Sequence, residues 1–109
     1  MKELTVNLGG KDVKISSSGY LVVLYADLFN ANVFEDFGRI VEHVKETNQI
    51  PYSDMTVLFQ LAYAMAKHSD PELIPYDEWL REIDIYDIPG IASEMIELWS
   101  ENTVQQSTP

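Results

Sequence analysis

The sequence predicts an α+β fold, mainly α, with an N-terminal β-hairpin packed on a compact bundle of about five helices. Three observations lead there. Apolar and polar residues alternate on either side of a Gly-Gly pair near the start. Apolar residues then recur at helical spacing through most of the remaining chain. The 109 residues are 46% hydrophobic and 11% aromatic, enough apolar material for one core and too much for a disordered chain.

The hairpin is expected over 3–16. Leu4, Val6 and Leu8 fall on one side of the first strand, and Val13 and Ile15 repeat the pattern after Gly9-Gly10-Lys11. An isolated hairpin is marginal in water, so it must pack on the helices that follow. Ser16-Ser17-Ser18 breaks the alternation and offers a helix cap. The first helix, 19–29, places Leu21, Leu24, Tyr25 and Leu28 on one face, with Val22 and Val23 on the other. An element apolar nearly all round is expected at the centre of the fold, and its β-branched pair leaves a strand open as an alternative.

Asn32 with Glu35 has the form of a capping box opening a helix over 33–47, whose face is read as Phe34, Phe37, Val41 and Val44. Gly38 within it suits a close approach by another helix, at a cost of about 1 kcal/mol relative to Ala. Ser53 is expected to cap a helix over 54–68, striped by Met55, Leu58, Phe59, Ala62, Met65 and Ala66 and ended before Pro71. A helix over 76–84 carries Tyr76, Trp79, Leu80 and Ile83. Asp87 followed by Pro89 then starts a final helix, 89–101, with Ile91, Met95, Leu98 and Trp99 inward. One globular domain over 1–102 is expected, with 103–109 as a flexible polar tail.

Charge narrows the class of partner. The net charge is −11, of which residues 1–50 contribute −2 and residues 51–109 contribute −9. An acidic half of this kind repels phosphate backbones and anionic bilayers, so neither nucleic acid nor membrane is an expected partner. The longest apolar run, Tyr20 to Ala26, is too short to span a bilayer. The first ten residues lack the apolar stretch of a signal peptide, so an unexported protein is expected. There are no cysteines, which excludes disulfides and thiolate metal sites.

No residue pattern points to catalysis or to a cofactor. His43 and His68 stand apart from any metal-ligand spacing and read as surface or helix-end histidines. The acids around Asp84 and Asp87 lack the alternating oxygens and the glycine of a calcium loop. Gly9-Gly10-Lys11 lacks the spacing of a phosphate loop. Ser16, Ser17 and Ser18 sit in no nucleophile elbow. The expectation is a protein without enzymatic activity, metal or cofactor. The candidate partner-binding residues are Met55, Phe59, Met65, Tyr76, Trp79, Met95 and Trp99. Aromatic residues dominate binding hot spots, and methionines make a surface adaptable. They are expected to line a groove between the last two helices and the Met55/Phe59/Met65 stripe.

Three segments carry a resemblance: GYLVVLYADLFN after the hairpin, FEDFGRI in the second helix, and YDEWLREIDIYDIP followed by EMIELWSEN. In their order and spacing the chain resembles the tail assembly chaperones of long, non-contractile-tailed bacteriophages and of related prophages of Gram-positive bacteria. The resemblance runs to about residue 102 and includes no active-site residue to carry over. It implies a helical, acidic, non-enzymatic protein of the bacterial host cytoplasm that is absent from the mature virion. It further implies two partners, the tape measure protein, kept soluble, and the major tail tube protein, recruited around it. A homo-oligomer is compatible with it. Two other functions fit the residues less closely: a structural tail-completion or head–tail connector protein, and a small acidic regulator of a basic host protein.

Overall fold

The computed structural model describes residues 2–107, with side chains up to residue 100. Strands β1 (Lys2–Leu8) and β2 (Lys11–Ser17) form a two-stranded antiparallel sheet, with Leu8 opposite Lys11 and Lys2 opposite Ser17. Gly9 and Gly10 both take positive φ, 60° and 79°. That is the requirement of the two-residue turn whose twist matches the strands. Val6, Leu8 and Ile15 bury their side chains on the helical layer. The expected hairpin is therefore present, one residue longer at each end, with Ser16 and Ser17 buried in β2 rather than standing before a helix.

Among the described residues six α-helices follow: α1 (Gly19–Phe29), α2 (Val33–Thr47), α3 (Met55–Ser69), α4 (Tyr76–Leu80), α5 (Asp87–Gly90) and α6 (Ala92–Ser107). Ser18 caps α1 by accepting the Tyr20 N–H, and Asn32 caps α2 by accepting from Phe34 and Glu35. Both helices end on an asparagine in the left-handed region, Asn30 and Asn48, whose N–H bonds back to Ala26 and Val44. Residues 19–29 are thus helical, and the strand alternative falls.

The centre of the fold is α3, not α1. Leu58, Leu61, Ala62, Tyr63, Ala64, Met65 and Ala66 of α3 are all buried. α3 packs against β2 and α1, while α6 packs along β1. α1 buries Leu21, Leu24 and Tyr25 but leaves Tyr20 and Val23 exposed. Further expectations are corrected. The buried face of α2 is Val33, Phe37 and Ile40, and Phe34 points outward. A Cβ added at Gly38 would meet nothing within 4 Å, so no neighbouring backbone explains it. A single 3₁₀ turn at Tyr52–Asp54 leads into α3, and Ser53 makes no cap. Finally, the expected helix over 76–84 stops at Leu80, and that over 89–101 divides into α5 and a longer α6. Residues 103–107 continue α6 rather than leaving it, while 108 and 109 lie outside the described residues.

Candidate interaction surface

The seven candidate residues divide by burial. Met65, Met95 and Trp79 are core residues, exposed by 4% at most. Met55, Phe59, Tyr76 and Trp99 are half-buried and pack against that core. Three of the residues expected to line a groove are therefore part of the core. Tyr76 and Trp79 belong to an aromatic grouping at α1 and α3. Tyr76 lies 5.0 Å from Phe29 and 5.2 Å from Tyr63, and Tyr63 lies 5.3 Å from Trp79. The Tyr63 hydroxyl donates to the Ile74 carbonyl at 2.6 Å, fixing the segment before α4. Trp99 belongs to another grouping, edge-on to Phe34 at 5.4 Å and to Phe37 at 5.5 Å.

Among the described residues the large apolar side chains left in solvent are others: Tyr20, Val23, Phe34, Tyr52, Ile85 and Tyr86. Among them Phe34 has its exposed ring against the ring of a candidate residue, Trp99. Sequence reasoning missed Tyr20 and Val23, because a helix apolar nearly all round reads as buried on every side. Ile85 and Tyr86 gave no signal beyond their place between two acids.

The elbow between α4 and α5 is held by a long-range contact. Asp87 Oδ2 accepts the N–H of Asp84 at 2.8 Å and that of Gly9, in the hairpin turn, at 2.9 Å. Beside this junction a groove of about 420 Å³ runs between Thr5, Val6 and Asn7 of β1 and Tyr86, Asp87, Gly90, Ile91 and Glu94. A second groove of about 390 Å³ lies between β2 and the end of α3, near Lys14, Ser69 and Asp70.

Hydroxyl and imidazole groups meet where the hairpin touches α3. The Ser16 and Ser69 hydroxyls bond to each other and both reach Glu3 Oε2, at 3.3 and 3.4 Å. Ser18 Oγ lies 2.6 Å from His68 Nε2, and Tyr20 packs edge-on against the His68 ring. A nucleophilic dyad needs a third group to orient the base. His68 Nδ1 is buried without a hydrogen-bond partner among the described residues, and Glu3 is engaged with the two serines. Ser18 Oγ also accepts the Tyr20 N–H as the α1 cap. The pair is arranged as a clasp between α1 and α3.

At the α1–α2 junction, the Tyr25 hydroxyl donates to Asp36 Oδ2 at 3.0 Å and lies 3.1 Å from Gln60 Oε1. Burial, then the bond to Asp36 and that carboxylate's charge, hold the Tyr25 phenol above its ordinary ionisation range. Among the described residues, no three of His, Cys, Asp and Glu gather where a metal ion could bind. No helix there is long and apolar enough to cross a membrane. No protein-family model, curated protein or solved structure matches the chain.

Proposed function

We propose that this protein is a phage tail assembly chaperone, which binds the tape measure protein, keeps it soluble and helps to recruit tail tube subunits. The reading starts from the three resembling segments and is supported by one structural observation. Phe34 is 55% exposed while its ring is stacked edge-on against Trp99, on a chain of net charge −11. A surface aromatic pair offers an anchor for the apolar stripe of a client helix. The surrounding negative charge keeps a loaded complex dispersed. In this reading the protein acts in the host cytoplasm, without catalysis or cofactor, and leaves the particle before it is complete.

Co-expression with a tape measure protein of a related phage, followed by size-exclusion chromatography with light scattering, tests it. A soluble complex is expected where the tape measure protein alone precipitates. Phe34→Ala should abolish the complex and leave the fold intact, because an exposed side chain contributes within about 1 kcal/mol to stability. Precipitation of the tape measure protein while this chain elutes alone would sink the proposal. Recovery of the chain in purified virions would replace it with a connector role.

A further inference from the structure

The hairpin presents a regular strand edge whose outer backbone groups are not hydrogen-bonded among the described residues. A two-residue turn with both residues at positive φ is closed by a hydrogen-bonded pair, here Leu8 and Lys11. Antiparallel pairing alternates from there, so Val6, Leu4 and Lys2 also exchange bonds with β2. Glu3, Thr5 and Asn7 then turn their backbone N–H and C=O groups to the outer side of β1. The sheet has two strands among the described residues. Among the described residues no backbone or side-chain group bonds to those of Glu3, Thr5 and Asn7 on that side.

The usual protections of an edge are sparse on this strand. β1 has seven residues in unbroken register, without a bulge or a proline, whereas exposed edges are commonly blunted by those devices or by inward charges. The outward positions carry one charge, that of Glu3. Beside the edge lies the groove of about 420 Å³. Val6 and Ile91 give it apolar lining, and Tyr86 stands at its side with 77% of its surface in solvent. A Cβ added at Gly90 would meet nothing within 4 Å, which leaves room there for another backbone. Asp87 and Glu94 line the groove and no basic residue does.

We propose that the β1 edge and this groove take an extended basic segment of another protein as a third strand. Backbone groups of Glu3, Thr5 and Asn7 supply the ladder, and Lys or Arg side chains of the partner meet Asp87 and Glu94. Charge selects this occupant over a second copy of the chain. Antiparallel pairing of β1 with its own copy has its two-fold axis perpendicular to the sheet. The α5–α6 layers of both copies would then lie on the same face, with Asp87 and Glu94 of one approaching those of the other. The site is separate from the Phe34–Trp99 surface, so either assignment can fail without the other.

The test uses the full chain and a blocked synthetic peptide of about seven residues, alternating Lys with Val and Thr. Binding is followed by amide NMR. Expected are shifts at Glu3, Thr5, Asn7, Tyr86, Gly90 and Glu94, with slowed amide exchange at the three strand positions. Thr5→Pro removes an outward N–H without touching the β1–β2 ladder, a place where an edge strand tolerates proline. It should weaken the peptide at least about tenfold, as should Glu94→Lys. Methylating alternate backbone nitrogens of the peptide should do the same, which keeps the test decisive if Thr5→Pro does not fold. Absence of shifts at the edge overturns the proposal. Equal binding by the methylated peptide overturns it too, since attraction would then be charge alone. A chain that elutes as a dimer and becomes monomeric with Thr5→Pro assigns the edge to a second copy and likewise overturns it.

Discussion

Single residues hold the hairpin to the helical layer, and Gly9 is the most constrained of them. Its φ is +60°, its N–H is bonded to Asp87, and an added Cβ would lie 2.5 Å from the Glu82 carbonyl oxygen. Gly10 shares the positive φ but faces open space. Gly10→Ala is therefore expected to cost about 1 kcal/mol, the left-handed penalty alone. Gly9→Ala should cost roughly 2–4 kcal/mol, because the elbow backbone must also move. Urea unfolding of both variants measures the difference, and equal losses would mean that the Glu82 contact contributes nothing. Tyr25 supports a prediction in pH. Its proton is retained in the folded state to higher pH than in the unfolded chain, whose phenols ionise near 10. The folded state therefore binds more protons above that pH, so stability is full below about 10 and falls as pH rises further. Tyr63 and Tyr76, also raised by burial, add to the same trend. Tyr25→Phe should lose about 1 kcal/mol at neutral pH with its hydroxyl bonds. Its alkaline decline should be shallower, so that the two stability curves converge above about pH 10.

Among the elements, what was legible in the sequence was local and what was missed was long-range. Gly-Gly turn chemistry and the Ser18 and Asn32 caps act over a few residues, and the structure has them where the sequence puts them. Just past the early end of α4, Glu82 meets Gly9, and Asp87 reaches both the hairpin turn and its near neighbour Asp84. Gly9 is more than 70 positions from Glu82 and Asp87, and no periodicity reports that contact. In α2 the failure was different. The series Val33, Phe37, Ile40 and the series Phe34, Phe37, Val41 both have helical spacing, and only packing on α1 and α3 chooses between them. Phe34 is therefore exposed where the spacing reads it as inward, while of the candidate residues Met65, Met95 and Trp79 are buried. Gly38 gives the element-scale prediction. It sits inside α2 with no atom near its would-be Cβ, so Gly38→Ala should stabilise the protein by about 0.5–1 kcal/mol. A thermal scan showing destabilisation would mean that some contact needs the bare backbone there.

At the scale of the whole molecule the dominant unbalanced force is charge. A net charge of −11 sits on a body with a radius of gyration of 13.1 Å. The ion pairs seen among the described residues are weak: Arg39, exposed, lies 3.8 Å from Asp36 and 3.6 Å from Asp54. Exposed pairs of this kind contribute about 0–1 kcal/mol. At about 0.01 M salt the Debye length is about 30 Å, so each carboxylate repels others across the entire fold. At about 0.15 M it is about 8 Å, and only near neighbours interact. Unfolding spreads the charges apart, so screening should favour the compact state more than it harms the few attractive pairs. The melting temperature is expected to rise by about 2–5 °C over that range in sodium chloride. Binding of the basic strand at β1 should move the other way, weakening as salt rises, because there screening acts on attraction between Asp87, Glu94 and the partner. Measuring both on one sample separates the two uses of the acidic surface. A melting temperature that fell with salt would show that attractive pairs outweigh net repulsion, and the acidic half would then contribute to the fold as well as to its partners.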